Sequence, residues 1–112
     1  MKKLLVVWKS EHPVNIQKFI IPFTYNSKEQ DWFETVELLV WGASQIAVKN
    51  NESYQQHVKT LVHNGINVYA CKMCADDIDS TSVLLSLGVK VEYTGTYLAE
   101  RLKSDEWEVI TL

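Results

Sequence analysis

A buried strand that leads directly into a helical region is indicated by the stretch Ile66-Asn67-Val68-Tyr69-Ala70-Cys71-Lys72-Met73-Cys74-Ala75-Asp76-Asp77. Its opening residues, 66–70, are mostly apolar and predict a strand that is covered on both faces. The leucine-rich run 83–87 predicts the helix that follows. Three acidic residues are expected at the start of that helix, where negative charge suits the dipole: Asp76, Asp77 and Asp79. Both cysteines lie between the two elements, where backbone N–H groups favour a thiolate.

The same alternation of apolar strands and helical patterns extends along the whole chain. Four more strands are predicted, at residues 4–8, 35–41, 89–91 and 107–110. Helical patterns are predicted after Pro13, over residues 45–49 and 53–64, and from Gly95 onward. Because Pro22 lies inside the first of these patterns, that helix is expected to kink or end near Ile21. A polar connection is expected at residues 26–31.

Short strands that alternate with helices are typical of a parallel sheet with helices on both faces. The sequence therefore predicts a three-layer α/β/α fold with a five-stranded parallel sheet and a Rossmann-like topology. One domain is expected to span residues 1–112. Ligands of such folds bind at the carboxyl ends of the strands. Four predicted loops meet at that edge, at residues 9–12, 42–44, 71–74 and 93–95.

The composition is that of an ordinary globular protein, with 46% hydrophobic and 22% charged residues. A formal net charge of −3 without a basic run argues against binding to nucleic acid or to an anionic membrane. No apolar stretch approaches the ~20 residues of a membrane helix, and the run at 4–8 is too short for a signal peptide. We therefore expect a cytoplasmic protein with free thiols and no cofactor. Four Trp, five Tyr and three Phe are many large aromatic residues for one small core, which predicts a homo-oligomer.

The loops at the carboxyl edge define a candidate site around the two cysteines. Cys71 is predicted to be the nucleophile because it directly follows a strand and is rigidly placed, and Cys74 is a candidate resolving thiol. Further candidate binding residues are Lys72, His12, Trp8, Trp41, Gly42 and Ser44. Lys72 would lower the pKa of a nearby thiol, and His12 would act as an acid–base partner. The turn at Gly42 would hold an anion on backbone N–H groups.

Each of these residues also has a structural interpretation. A lysine or histidine in a loop is commonly a solvated surface residue, and a glycine before a helix is commonly part of a tight turn. Trp8 and Trp41 end adjacent predicted strands, so they fit a core or an interface as well as a pocket. His57 and His63 lie on the long predicted helix, where structural roles are favoured.

With these loops placed, the chain resembles the DsrE/DsrF-like family of small sulfur-metabolism proteins. The resemblance rests on Val40-Trp41-Gly42-Ala43-Ser44, on the segment from Gly65 to Asp76, on Leu87-Gly88-Val89-Lys90-Val91, and on Gly95-Thr96-Tyr97-Leu98. It continues to Lys103 and the predicted fifth strand. The resemblance implies a five-stranded parallel sheet and a homo-oligomer, as a dimer, trimer or hexamer. It also implies that Cys71 carries a persulfide, exchanged with a donor or acceptor protein.

Four interpretations of the pair Cys71-x-x-Cys74 stay open. The two cysteines are incidental small residues in a loop, or Cys71 is a sulfur carrier. A thioredoxin-like dithiol lacks its cis-proline, because the only prolines, Pro13 and Pro22, lie far upstream. A zinc site needs about four ligands, and the chain has no second Cys-x-x-Cys. We predict a persulfide carrier or sulfur-relay component with sulfurtransferase-like chemistry; the alternative is a non-enzymatic oligomeric module that binds a small molecule.

Overall fold

Five short strands form one sheet in which every neighbouring pair is parallel. The structure, a computed structural model, describes residues 1–112. The strands are β1 (Lys3–Trp8), β2 (Val36–Val40), β3 (Asn67–Cys71), β4 (Lys90–Glu92) and β5 (Trp107–Thr111), in the spatial order β4-β3-β2-β1-β5. This arrangement confirms the predicted α/β fold with five parallel strands. The carboxyl ends of all strands therefore share one edge of the sheet.

Helices connect the strands and cover both faces of the sheet. They are α1 (Pro13–Asn15), a π-helical segment (Ile16–Ile20), α2 (Ile21–Glu29), α3 (Ala43–Asn50), α4 (Glu52–His63), α5 (Lys72–Asp77), α6 (Thr81–Ser86) and α7 (Gly95–Lys103). None of them combines the length and the apolar character that crossing a membrane requires.

The prediction was a kink or an end near Ile21, and the helical region does not end there but continues past Pro22. The polar connection predicted at residues 26–31 is wrong for residues 26–29, which are helical. The backbone N–H of Ile21 bonds to the carbonyl of Ile16, which is the wider spacing of a π-helix. Pro22 then falls in the first turn of α2, where its missing N–H needs no partner. The helix therefore absorbs the proline and runs on to Glu29.

The acidic residues after the cysteines also lie elsewhere than predicted. Helix α5 begins at Lys72, directly after Cys71, so Asp76 and Asp77 are at its end rather than at the start of the next helix. Asp79 lies between α5 and α6 with a φ of 54°. The carboxylate of Asp76 accepts a hydrogen bond from Lys72 Nζ at 2.7 Å, and this pair stabilises the helix.

Side chains of the central strands alternate between two unequal faces. One face belongs to a main core of 20 buried residues, which includes Val6, Leu38 and Val68. The π-helical segment and helices α2 to α6 also contribute side chains to this core. The opposite face, here called the α7 face, has only three buried apolar residues: Leu5, Val7 and Leu39. Tyr97 and Leu98 of α7 pack on that face. Cys71 lies in the same alternation as Tyr69, one position beyond Ala70 of the main core.

Candidate functional site

Cys71 is the last residue of β3 and the residue that precedes α5. The residue is 6% exposed, so the strand and its neighbours hold it just beneath the surface. The backbone carbonyl of Cys71 accepts a hydrogen bond from Gln45 Nε2 at 3.2 Å, which ties the strand end to α3. The thiol therefore occupies a fixed position at the carboxyl edge of the sheet.

The environment of Cys71 favours its ionised form. Burial raises the pKa of this thiol, but the backbone N–H of Cys74, the hydroxyl of Thr94 and the backbone N–H of Met73 together outweigh burial and lower it. A thiol sulfur is only a weak hydrogen-bond acceptor. These donors therefore act on the thiolate, which gains more from them than the thiol does.

Thr94 is a site residue that the sequence interpretation missed. It immediately precedes α7, is 1% exposed, and its Oγ1 has no hydrogen-bond partner within the folded chain. The Thr94 hydroxyl lowers the pKa of the Cys71 thiol, because it is placed to donate a hydrogen bond to the ionised sulfur. A signal was present in the sequence, because Thr94 lies in the loop 93–95 that was predicted to reach this edge. Gln45, fully buried, likewise has an unpartnered oxygen, Oε1.

The pKa of Cys74 shifts in the opposite direction to that of Cys71. Burial raises the pKa of this thiol, and the adjacent Cys71 sulfur and the Asp77 carboxylate raise it further. The side chain of Trp41 favours the Cys74 thiolate but does not offset those effects. Because the two sulfurs are neighbours, ionisation of Cys71 makes ionisation of Cys74 harder. Of the two thiols, Cys71 is therefore the one that ionises first.

Lys72 is engaged away from the sulfur. Its ammonium pairs with Asp76 at 2.7 Å, and that hydrogen bond raises the pKa of Lys72 while it lowers the pKa of Asp76. The groups that lower the pKa of Cys71 do not include this lysine. Lys72 thus stabilises α5. The pKa of Cys71 is lowered by backbone N–H groups, not by the charge of Lys72 as the sequence had suggested.

Trp8 and Ser44 are structural rather than exposed to a ligand. Both side chains are fully buried. The Trp8 indole donates a hydrogen bond to the carbonyl of Ser10 at 2.8 Å. Ser44 Oγ donates to the carbonyls of Trp8 and Trp41, so it holds the ends of β1 and β2 together. These hydrogen bonds hold the carboxyl ends of β1 and β2 in place.

The remaining predicted residues lie at the rim. Gly42 is exposed and has a φ of 79°, a conformation that favours glycine, and it forms the turn into α3. His12 is exposed before α1, and its imidazole makes no hydrogen bond within the chain. The structure thus brings Cys71, Cys74 and Trp41 together and leaves His12 at the surface.

Neither a metal centre nor a ligand pocket is formed by the chain alone. No group of three or more His, Cys, Asp or Glu side chains is placed to hold a metal ion. No ligand-sized pocket opens on the surface. What the site offers chemically is an acidic thiol, a second thiol beside it, and a buried hydroxyl directed at the first.

Solved structures share this fold over nearly the whole chain. BT1422, a conserved protein of unknown function from Bacteroides thetaiotaomicron, is 26% identical and matches with a TM-score of 0.94 over 99% of this chain and 95% of its own. MTH1491, a protein of unknown function from Methanobacterium thermoautotrophicum, matches with a TM-score of 0.78 at 16% identity over all of both chains. The ychN protein from E. coli matches with a TM-score of 0.72 at 19% identity, again over all of both chains.

Comparison at the level of sequence gives no further match. No family model matches the chain, and no curated protein matches it. The two more distant structures support the fold alone.

Proposed function

We propose that this protein is a small sulfur carrier of the DsrE/DsrF-like type, which holds a persulfide on Cys71. The observation that carries the proposal is the position of Cys71, nearly buried at the carboxyl end of β3 and beside a second thiol; the pKa of Cys71 is lowered there and that of Cys74 is raised. A carrier needs a thiolate near neutral pH, because the thiolate is the nucleophile in sulfur exchange. The lowered pKa of Cys71 is a shift toward that condition, and β3 holds the sulfur at a rigid strand end.

Loading requires only a persulfide donor. The Cys71 thiolate attacks the outer sulfur of a donor persulfide, a new S–S bond forms on Cys71, and the S–S bond of the donor breaks. The donor leaves as a thiolate that takes up a proton, so no external oxidant or reductant is consumed. An acceptor thiolate removes the outer sulfur from Cys71 by the same reaction in reverse order.

Cys74 provides a second way to release sulfur. Its thiolate attacks the inner sulfur of the Cys71 persulfide, which forms the Cys71–Cys74 disulfide and releases hydrosulfide. A reducing thiol must then restore the pair. The raised pKa of Cys74 keeps this route slow at neutral pH, because little of its thiolate is present. The carrier therefore retains its sulfur until an acceptor arrives.

The partners of the proposed carrier are proteins and copies of itself. Phe19 and Trp32 are 46% and 55% exposed. Phe23 lies between them, with ring centroids 6.2 Å from Phe19 and 6.4 Å from Trp32. Exposed aromatic rings in contact are typical of interfaces, which supports a homo-oligomer. A donor or acceptor protein completes the relay, and the free thiols fit a cytoplasmic location.

The test is sulfur loading followed by mass measurement. The reduced protein is incubated with a cysteine desulfurase and cysteine, and the intact mass is examined for an added sulfur atom. Cys71→Ser should abolish loading, while Cys74→Ser should retain it and prolong the lifetime of the persulfide. Loading that survives Cys71→Ser contradicts the proposal. Failure of the unmodified protein to load from this donor or from a low-molecular-weight persulfide favours the alternative, a non-enzymatic binding module with incidental cysteines.

A further inference from the structure

Helix α7 covers the α7 face of the sheet without burying any of its own residues completely. A nine-residue helix docked this shallowly needs specific contacts to hold one position. Those contacts come from a polar network around Glu37 of β2. Tyr97 Oη donates a hydrogen bond to Glu37 Oε1 at 2.6 Å, and Arg101 Nε donates to the same oxygen at 2.7 Å.

The network is buried and well matched in charge. The side chain of Glu37 is 5% exposed and that of Arg101 is 18% exposed. Burial lowers the pKa of Arg101, but the hydrogen bond to Glu37 outweighs it and the net shift is upward. Burial and the same carboxylate raise the pKa of Tyr97, so its hydroxyl stays a donor. Arg101 therefore forms a charge-assisted hydrogen bond with little competition from water.

Aromatic rings enclose the network on both sides. The guanidinium carbon of Arg101 lies 3.7 Å from the ring centroid of Tyr97 and 4.7 Å from that of Trp107. The rings of Tyr97 and Tyr69 have centroids 4.4 Å apart. These stacked planes restrict sliding or rotation of α7, because a shift of the helix would break several contacts at once.

The same side of α7 that binds Glu37 also carries the residue that faces Cys71. Thr94, Tyr97 and Arg101 are three and four residues apart, so they share one face of the helix. Thr94 is the N-cap position of α7, and the carbonyl of Thr94 accepts a hydrogen bond from the backbone N–H of Leu98 at 2.9 Å. Its placement is thus coupled to that of the helix.

Helix α7 runs from the site of the sulfur toward the Glu37 network. Glu37 is the register partner of Asn67, four residues before Cys71 in the chain, and four strand residues extend about 13 Å. Its partners Tyr97 and Arg101 lie three and seven residues after Thr94, or about 4.5 Å and 10.5 Å along the helix axis. The network therefore holds α7 in both its first and its last turn.

We propose that Glu37 is a positioning residue for the Cys71 site: by binding Tyr97 and Arg101, it fixes α7 so that Thr94 faces the sulfur. The inference rests on the proposed role of Cys71 as the reactive thiol. It gives a role to the buried ion pair between Glu37 and Arg101, which lies at the opposite end of the strands from Cys71. The other ionisable side chain beside the sulfur is that of Cys74, which Asp77 also faces, and Glu92 of β4 is the register partner of Cys71.

The experiment measures the pKa of Cys71 from the pH dependence of its alkylation by iodoacetamide, with Cys74→Ser as the common background. Thr94→Val should raise this pKa, and one unit corresponds to about tenfold less thiolate below the pKa. Glu37→Gln should raise it in the same direction. The double variant should match Thr94→Val alone, because Glu37 acts through Thr94 and the two effects should not add.

Controls separate positioning from loss of the fold. Glu108→Gln removes a carboxylate that is 61% exposed and pairs with Lys2 on the surface, and it should leave the pKa of Cys71 unchanged. Where Glu37→Gln fails to fold, Tyr97→Phe removes one hydrogen bond and preserves the ion pair. A folded Glu37→Gln or Tyr97→Phe protein with an unchanged Cys71 pKa overturns the inference, and so do additive effects in the double variant. This measurement does not depend on sulfur loading, so the inference and the proposed function can fail separately.

Discussion

The hydroxyl of Thr94 faces the sulfur of Cys71, although the two residues leave the sheet from different strands. Cys71 ends β3, and Thr94 follows β4, whose residue Glu92 is the register partner of Cys71. Parallel neighbours bring both chain ends to the same edge, so the contact is a direct consequence of the topology. The buried Oγ1 of Thr94 has no hydrogen-bond partner in the folded chain, which leaves it free to stabilise a thiolate.

The first prediction concerns this hydroxyl. Thr94→Val keeps the shape of the side chain but removes the donor, so the Cys71 thiolate should react more slowly with iodoacetamide at neutral pH. Thr94→Ser keeps the donor and should preserve most of the rate. Equal rates for the Val and Ser variants would show that the hydroxyl does not act on the sulfur.

The second prediction concerns the pH dependence of stability. Folding lowers the pKa of Cys71 below its ordinary value of 9.0, so the folded protein releases this proton before the unfolded chain does. The unfolding free energy should therefore rise with pH between the lowered pKa and 9.0, and this gain is lost as the pH falls through the lowered pKa. Cys74, with a raised pKa, contributes a slope of the opposite sign above 9.0.

Urea denaturation at a series of pH values measures this effect. Cys74→Ser is compared with the double variant Cys71→Ser/Cys74→Ser, so that only the Cys71 contribution remains. A difference between the two proteins that stays constant or shrinks as the pH rises toward 9.0 would contradict the lowered pKa.

The third prediction concerns the turn before α3. Gly42 has a φ of 79° and a ψ of −137°, a region that residues with a Cβ rarely enter. Gly42→Ala should destabilise the protein by about 1–3 kcal/mol through backbone strain, since an added Cβ there meets no atom within 4 Å. Gly95→Ala is the matched control, because Gly95 also has open space but no positive φ and opens α7. That control should be neutral or stabilising by up to about 1 kcal/mol, and equal losses in both variants would remove strain as the cause.

The sequence was sufficient to predict the sheet, because apolar runs separated by helical patterns leave few alternatives to a parallel arrangement. It did not predict the π-helical segment that precedes Pro22, since the wider hydrogen-bond spacing leaves no mark in the hydrophobic pattern. The sequence predicted Asp76 and Asp77 at the start of a helix, because negative charge there suits the helix dipole. In the structure α5 instead begins at Lys72, so Asp76 lies near its end and pairs with Lys72.

The candidate site was predicted in part. The position of Cys71 at a strand end follows from the order of the elements, and so does the proximity of Cys74. Burial is harder to predict: Trp8 and Ser44 end strands or open a helix at the correct edge, yet both lie fully inside. Thr94 carries no motif, and only the pairing of β3 with β4 brings it to the sulfur.

The fourth prediction concerns assembly. If the exposed rings of Phe19 and Trp32 form an interface between copies, Trp32→Glu should weaken the oligomer by burying a charge there. Leu102→Glu is the control, because Leu102 is 63% exposed on a different helix, α7. Multi-angle light scattering at micromolar concentration should give a multiple of the chain mass for the unmodified protein and for Leu102→Glu, and a smaller mass for Trp32→Glu. A monomer mass for the unmodified protein would contradict the proposed assembly.

The claim at the centre of this account is that Cys71, not Cys74, is the reactive thiolate. Competitive alkylation of the native protein tests it most directly, with less than one equivalent of iodoacetamide at neutral pH followed by denaturation and tryptic digestion. Trypsin cleaves after Lys72, so the two cysteines fall in different peptides and their labelling can be compared by mass. The account predicts that label accumulates mainly on the peptide that ends with Cys71-Lys72. Preferential labelling of the peptide that begins with Met73 would contradict it.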